Sequence, residues 1–263
     1  MIRLAAETDF SAFSACSHPA VTDGAVRIRS WHAAYGTQTR FLSSFTDGRG
    51  TFLSVMDGFA VLADLTGEAT DGAAVDEEWA AFIAMHPDIR RVRCAHAAGE
   101  RLAAALQAPV TAGEVQRCDA CPPSGRTDGL VPVRTVRAEG VYRLLCDAFP
   151  DGALPPFDAF YVDLSHRLRH GLCRIAAVED PPGTPLACAM TVAEAPDAVV
   201  IGAVATAPQR RRRGYASACI RALLAEDARP ALIAPNDDAA ARLYRSLGFS
   251  PCGGWAELSF PGK

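Results

Sequence analysis

Four consecutive arginines stand between an apolar run and an alanine-rich segment. The apolar run covers 199–206, a proline follows at Pro208, and the arginines of 210–213 lead directly into Gly214. This order predicts a strand, a cationic loop and the first turn of a helix. The amides of a first helical turn lack partners inside the helix, so they can bind phosphate oxygens, and arginine adds planar charged donors. We therefore predict an anion site here. A solvated arginine run or a nucleic-acid contact is the alternative.

The spacing of this loop and of a later segment resembles a known family. Arg211, Gly214 and Ala216 fit the Arg/Gln-x-x-Gly-x-Gly/Ala pattern of the GCN5-related N-acetyltransferases, the GNAT family. Further on, Asn236 and the run 244–249 (Tyr-Arg-Ser-Leu-Gly-Phe) resemble the Asn…Tyr-x-x-Leu-Gly-Phe segment that closes many GNAT domains. Two matches in the right order and at the right separation make the resemblance specific.

The resemblance implies acetyl-coenzyme A (acetyl-CoA) as co-substrate. Backbone groups of Val204, Ala205 and Thr206 would bind its pantetheine arm, and one N–H would polarise the thioester oxygen and hold the resulting oxyanion. The pyrophosphate would lie on Arg211, Arg212, Arg213, Gly214, Tyr215 and Ala216. Position 212 is commonly glycine in the family. If that position needs a positive φ, we expect the loop to follow a slightly different path.

Two polar residues beyond the loop receive roles from the same resemblance. Tyr244 is the candidate general acid, because a tyrosine at this position in the family can protonate the departing thiolate. The alternative is an amphipathic core tyrosine of the last helix. Asn236 would hydrogen-bond the pantetheine, or it would simply start that helix.

The general base is the least determined part of the predicted site. Many GNAT enzymes carry a glutamate on the strand before the loop, but 199–206 contains no ionisable residue. Glu194, just before the turn into that strand, is our candidate. Asp163, His166 and His170 on the second helix are alternatives, and each of the four could equally be a solvated surface residue. No base is needed if the amine arrives neutral or loses its proton through a water chain.

Apolar periodicity and turn residues predict the order α-α-β-β-β-α-β-α-β over about 131–260. This order resembles the GNAT fold, an α/β architecture with a mixed, mostly antiparallel central sheet flanked by helices. The predicted elements are helices 138–148 and 156–170, strands 173–178, 185–192 and 198–206, a helix from 214 to about 228, strand 231–234, helix 238–247 and a last strand from 249 toward 258.

The N-terminal half has a less regular pattern. The Pro-, Gly-, Ser- and Asp-rich stretch 121–130 is the predicted linker. It separates a smaller α/β domain, 1–120, from the GNAT domain, 131–263. The N-terminal half contains a hairpin signal at Asp57-Gly58, a helix opening at 76–79, a strand at 90–95 and a helix at 99–106. It could be a degenerate GNAT-like domain. Because it lacks the Arg-x-x-Gly-x-Gly/Ala pattern, we expect no cofactor there.

Composition narrows the class of protein. A net charge of −4 argues against a nucleic-acid partner. No stretch approaches the twenty apolar residues of a membrane span, and the first residues lack a signal-peptide core, so we expect a cytoplasmic protein without membrane contact. Nine scattered cysteines predict free thiols. The lone Cys118–Cys121 pair lacks further ligands at zinc-site spacing, so no metal is expected.

The sequence therefore predicts an acetyl-CoA-dependent N-acetyltransferase, in which a primary amine of a small molecule or peptide attacks the thioester directly. The alternative is a non-catalytic CoA-binding module whose N-terminal half binds a partner protein. A monomer and a homodimer are both compatible with the sequence.

Overall fold

The computed structural model describes residues 1–14, 21–37, 39, 41–65, 77–119, 132–149, 154–181 and 183–261. They form two compact units, Met1–Val115 with Pro251–Lys263, and Gln116–Ser250. The predicted linker 121–130 lies outside the described residues, as does Cys121, whereas Cys118 is buried. None of the described helices is long and apolar enough to cross a membrane.

The first unit is an α/β structure. Its strand order is β1-β2-β3-β4-β5-β11, in which β4 and β5 are parallel and the other neighbours antiparallel. The predicted hairpin at Asp57-Gly58 is confirmed, and both residues have the positive φ (48° and 79°) of a type I′ turn. Its elements are β1 (Arg3–Leu4), α1 (Glu7–Ser14), α2 (Asp23–Tyr35), β2 (Leu42–Thr46), β3 (Thr51–Met56), β4 (Phe59–Asp64), α3 (Glu77–Met85), β5 (Arg91–Ala95), α4 (His96–Leu106), the first part of β6 (Val110–Cys118) and nearly all of β11 (Ser250–Ser259).

The second unit has the predicted mixed sheet flanked by helices. Its strand order is β6-β10-β9-β8-β7, and only β10 and β9 are parallel. Helices α5 and α6 pack on one face of the sheet, and α7 and α8 pack on the other. Every predicted helix and strand of this unit is present. Its elements are the end of β6, α5 (Ala138–Ala148), α6 (Phe157–Arg169), β7 (Ile175–Glu179), β8 (Pro185–Ala195), β9 (Ala198–Thr206), α7 (Tyr215–Ala225), β10 (Ala231–Ile233) and α8 (Asp238–Ser246).

The compact units differ from the predicted domains at both ends. The last three residues of β6, which we placed in the N-terminal domain, belong to the second unit because they pair with β10. The last strand, which we placed in the GNAT domain, belongs to the first unit because residues 255–259 of β11 pair with β5. The division into domains 1–120 and 131–263 stays a prediction.

Candidate functional site

Among the described residues, no strand covers the edge at the end of β9, which is called the open edge below. β10 pairs with β9 only as far as Ile201, whereas β9 continues to Thr206. On the other side, the Ala207 N–H donates to the Leu186 carbonyl at 2.9 Å. Because backbone groups alternate in direction along a strand, the N–H and carbonyl of Thr206 face the edge past the end of the β10 pairing. An extended ligand with amide groups can bind such an edge as an additional strand.

A β-bulge lies at the start of this open segment. Ala203 has a φ of 49°, and the pairing with β8 changes register around it. The bulge interrupts the alternation of side chains, because Ile201 packs in the cluster on the α7 face and strict alternation would place Ala203 there as well. Ala203 and Ala205 pack in the cluster on the α5–α6 face, and Val204 between them packs toward the α7 face. The predicted pantetheine-binding residues Val204, Ala205 and Thr206 therefore begin at a distorted, open strand end.

The arginine loop turns back toward this edge. After one 3₁₀ turn at Pro208–Arg210, the chain reaches Gly214, which has a φ of 79° and stands at the N-cap of α7. The Arg211 Nε donates to the Thr206 carbonyl at 3.4 Å, so the loop and the open edge are in contact. Arg212 has a φ of 63°. Arg212 therefore adopts the left-handed conformation that favours glycine, and the different path of the loop stays a prediction.

The loop carries positive charge without local compensation. Within the described ranges, no carboxylate forms an ion pair with the guanidinium groups of 210–213. Among the described residues, no side chain caps the N-terminus of α7, and no atom beyond the two chain neighbours lies within 4 Å of the position that a Cβ on Gly214 would take. The first-turn amides, at Tyr215 and Ala216, are thus open to a ligand. Amide donors, a helix N-terminus and unpaired arginines together make a phosphate site.

Arg212→Gly is expected to stabilise the protein. A left-handed conformation costs a residue with a Cβ about 1–2 kcal/mol, and glycine removes this cost. Because glycine also makes the unfolded chain more flexible, the net gain in the free energy of unfolding should be only about 0.5–1 kcal/mol. Urea unfolding of the wild type and the variant measures it. A loss of stability would mean that the Arg212 side chain makes a contribution larger than the strain of its backbone.

Tyr244 lies beneath the same edge. It is 6% exposed and belongs to the cluster against which Val204 and Tyr215 pack. Among the described residues, no hydrogen bond is made by its hydroxyl. Burial, and to a lesser degree the charge of Asp237, raises the pKa of Tyr244 to about 12. The phenol therefore keeps its proton at neutral pH, as a donor to a departing sulfur must.

Asn236 is exposed and directly precedes Asp237, the N-cap residue of α8. The role of starting the helix belongs to its neighbour, because the Asp237 carboxylate accepts the Ala240 N–H at 2.7 Å. Asp237, and not Asn236, therefore caps the N-terminus of α8. Its amide is available to a ligand.

Glu194, our candidate base, is a buried carboxylate that forms ion pairs with two arginines. It lies near the end of β8 and pairs with Val199, five residues or roughly 16 Å along β9 from Val204. The carboxylate is 7% exposed and accepts the Thr191 hydroxyl at 2.6 Å, the Arg174 Nε at 2.9 Å and the Arg229 Nη2 at 2.8 Å. Burial alone would raise the pKa of Glu194, but these donors together lower it. A carboxylate with all of these donors is a poor proton acceptor, which argues against Glu194 as the base.

Glu194→Gln is expected to destabilise the protein and to leave the turnover of the folded enzyme unchanged. Removing one charge from a buried ion-pair group costs about 3 kcal/mol. The pKa of Glu194 is lowered by folding, so its stabilisation exists above the unfolded pKa and disappears as the pH falls. The difference in unfolding free energy between wild type and variant should shrink as the pH drops below about 4. A variant that is folded but inactive would restore Glu194 as the base.

The other candidate bases are on α6. Asp163 accepts the Arg167 Nε at 3.0 Å, so it is already part of an ion pair. His166 and His170 contact each other, with ring centroids 4.6 Å apart. The two histidines stay candidates, and the structure adds no ionisable residue on β9.

Several residues that shape the open edge did not stand out in the sequence. The bulge at Ala203 follows Gly202, Gly202 packs against Val192, and the Val192 carbonyl accepts a hydrogen bond from Arg167. A glycine inside an apolar strand, here Gly202, is the one local signal of a bulge or a close backbone approach.

Comparison with known proteins points to one family for the second half of the chain. Residues 138–249 match the model of the acetyltransferase (GNAT) family. Among solved structures, a GCN5-related N-acetyltransferase from Kribbella flavida superposes with a TM-score of 0.58 at 19% identity, over 93% of this chain and 98% of its own. A GNAT-family acetyltransferase from Colwellia psychrerythraea gives 0.55 at 14%, over 99% of both chains. A tandem GNAT protein from the clavulanic acid biosynthesis pathway gives 0.53 at 15%, over 100% and 99%.

At these identities the structural likeness shows the fold, and it extends over both halves of the chain. A search of curated proteins found no significant match.

Proposed function

Because residues 138–249 form a domain of the GNAT acetyltransferase family, we propose that the protein transfers the acetyl group of acetyl-CoA to a primary amine of a small molecule or a peptide. The observation that carries the proposal is one juxtaposition. The open edge of β9, the unpaired arginine loop and the uncapped N-terminus of α7 lie together in one unit.

The arrangement matches the chemistry of acetyl-CoA in two parts. The amides of the pantetheine arm can pair with backbone groups at Val204 and Thr206. The pyrophosphate carries negative charge, which the first-turn amides of α7 and the guanidinium of Arg211 would bind. The edge of β9 and the arginine loop therefore lie in the same order as the pantetheine amides and the pyrophosphate along acetyl-CoA.

The proposed reaction is direct attack on the thioester. A neutral amine nitrogen attacks the carbonyl carbon while a backbone N–H at the β9 bulge stabilises the negative oxygen. The C–S bond then breaks, and the Tyr244 hydroxyl donates its proton to the thiolate. The proton that the amine loses passes to water or to a base yet to be identified. Tyr244 is reprotonated from solvent.

A second candidate is a non-catalytic CoA-binding module. The lack of an ionisable residue on β9, together with the ion pairs that occupy Glu194, favours it. In either case we propose that the N-terminal half is a degenerate GNAT-like domain without a co-substrate of its own, a view supported by the tandem GNAT neighbour.

The two candidates are separated by a thiol-release assay. Wild-type protein is incubated with acetyl-CoA and panels of polyamines, aminoglycosides, amino acids and peptide N-termini, and free CoA thiol is measured against a no-acceptor control. Amine-dependent release, with an acetylated product identified by mass spectrometry, supports the transferase. Saturable acetyl-CoA binding without release for any amine would support the binding module.

A further inference from the structure

The bulge of β9 belongs to a pair of bulges. Between the pairs Cys188–Ala205 and Met190–Gly202, β9 carries one extra residue. A few residues further on, β8 carries one extra residue in turn, because Thr191 pairs with Ile201 but Ala193 pairs with Val200. The second bulge restores the register that the first one shifted. The distortion is thus confined to a short block of the sheet next to the open edge.

The two bulges touch each other at Val192 and Gly202. A Cβ built on Gly202 would lie 3.0 Å from both γ-methyl carbons of Val192. Val192, the extra residue of β8, therefore packs directly on the backbone of β9. This contact is one residue before Ala203, whose φ of 49° requires support from its surroundings.

Helix α6 holds Val192 from the other side. The Arg167 side chain is 10% exposed and its Nη1 donates to the Val192 carbonyl at 3.1 Å. Asp163, one turn earlier, orients the same guanidinium through bonds of 3.0 Å from Nε to both carboxylate oxygens. A second support reaches Ala203 itself, because the buried Cys188 thiol donates to the Ala203 carbonyl at 3.3 Å.

We infer that Arg167, Val192 and Gly202 form a positioning relay that fixes the backbone N–H groups of the β9 bulge toward the thioester. The inference rests on the proposed function. The relay runs from the α6 guanidinium through the Val192 carbonyl and side chain to the backbone at Gly202, and so to Ala203 and Val204. None of the three residues needs to touch the co-substrate through a side chain, so their effect is on geometry. Small displacements at a reacting centre cost much more in turnover than in binding.

The test is a double-mutant cycle between Gly202 and Val192, in which one substitution adds a steric clash and the other removes it. Gly202→Ala should lower kcat roughly 10- to 100-fold while the KM for acetyl-CoA changes by less than about threefold, because a displacement near 1 Å is enough. Val192→Ala in the same chain removes the two methyls that the new Cβ meets, so the double variant should recover most of the lost kcat. Gly140→Ala is the matched control. Gly140 lies on α5, away from the bulge, and its added Cβ would lie 2.9 Å from Pro185 Cδ. This variant should keep kcat.

Two further measurements distinguish a failure of the relay from a failure of the proposed function. Arg167→Met, which keeps an apolar stem but removes the donor, should lower kcat in the same direction and speed amide hydrogen exchange over 200–206, whereas Arg167→Lys should recover part of both. Normal kcat and normal exchange in Gly202→Ala and Arg167→Met, in a wild type that is active, would overturn the relay and leave the proposed function intact. A wild type that binds acetyl-CoA but acetylates no amine would overturn the proposed function itself.

Discussion

Gly214→Val is expected to weaken acetyl-CoA binding by roughly 30- to 100-fold, which corresponds to about 2–3 kcal/mol of lost charge-assisted hydrogen bonding. Gly214 has a φ of 79° and open space where its Cβ would be. Valine there would cover the first-turn amides of α7 and strain the loop that presents the Arg211 guanidinium. Calorimetric titration with acetyl-CoA measures the change.

The control for this variant is Gly171→Val. Gly171 has a φ of 69° and, in the part of the chain that the structure describes, no atom beyond its chain neighbours within 4 Å of its Cβ position. It follows the end of α6, whereas Gly214 precedes the start of a helix. The two variants should lose similar amounts of stability, but only Gly214→Val should lose affinity. Equal affinity losses in both would mean that strain alone, and not blocked phosphate donors, explains the result.

Tyr244→Phe is expected to lower kcat by about 100-fold or more, the usual contribution of a general acid, with acetyl-CoA affinity nearly unchanged. The substitution keeps the ring that packs in the core beside Phe249 and removes only the hydroxyl. Because burial raises the pKa of Tyr244 to about 12, the wild-type activity should show no loss from its ionisation between pH 6 and about 10. Steady-state kinetics across this range provides the measurement.

A matched hydroxyl deletion is available on α6. Tyr161 is 50% exposed, so Tyr161→Phe changes little in the core and should leave kcat close to that of the wild type. Unaltered turnover in Tyr244→Phe would remove that residue from the mechanism. In that case, the interpretation of Tyr244 as a core tyrosine would stand.

The local sequence was sufficient for most of the second unit. Its helices and strands follow regular apolar periodicity, and β9 and α5 have the bounds that this periodicity predicts. The first unit was harder to predict. The buried residues of α2 include Asp23 and Ser30, which interrupt its apolar stripe. Asp23 is compensated by Arg27 and by Arg93, which is seventy residues away in sequence. A buried ion pair of this kind depends on the tertiary fold and leaves no local pattern.

The same limit applies to the site. The spacing of the arginine loop is local, so its position and the N-terminus of α7 could be predicted. Glu194 could not be judged in this way, because its donors Arg174 and Arg229 are 20 and 35 residues distant. The bulge at Ala203 depends on the register between two strands, which the composition of one strand does not determine. The pairing of β11 with β5 is likewise a contact across most of the chain.

The most direct test of the account is the stoichiometry of acetyl-CoA binding to the full-length protein. Only the second unit has an arginine loop, an uncapped helix N-terminus and an open strand edge in contact among the described residues. Calorimetric titration should therefore find one acetyl-CoA bound per chain, with affinity that falls as salt rises because the pyrophosphate is bound by exposed charges. No saturable binding, or two molecules per chain, would contradict the account.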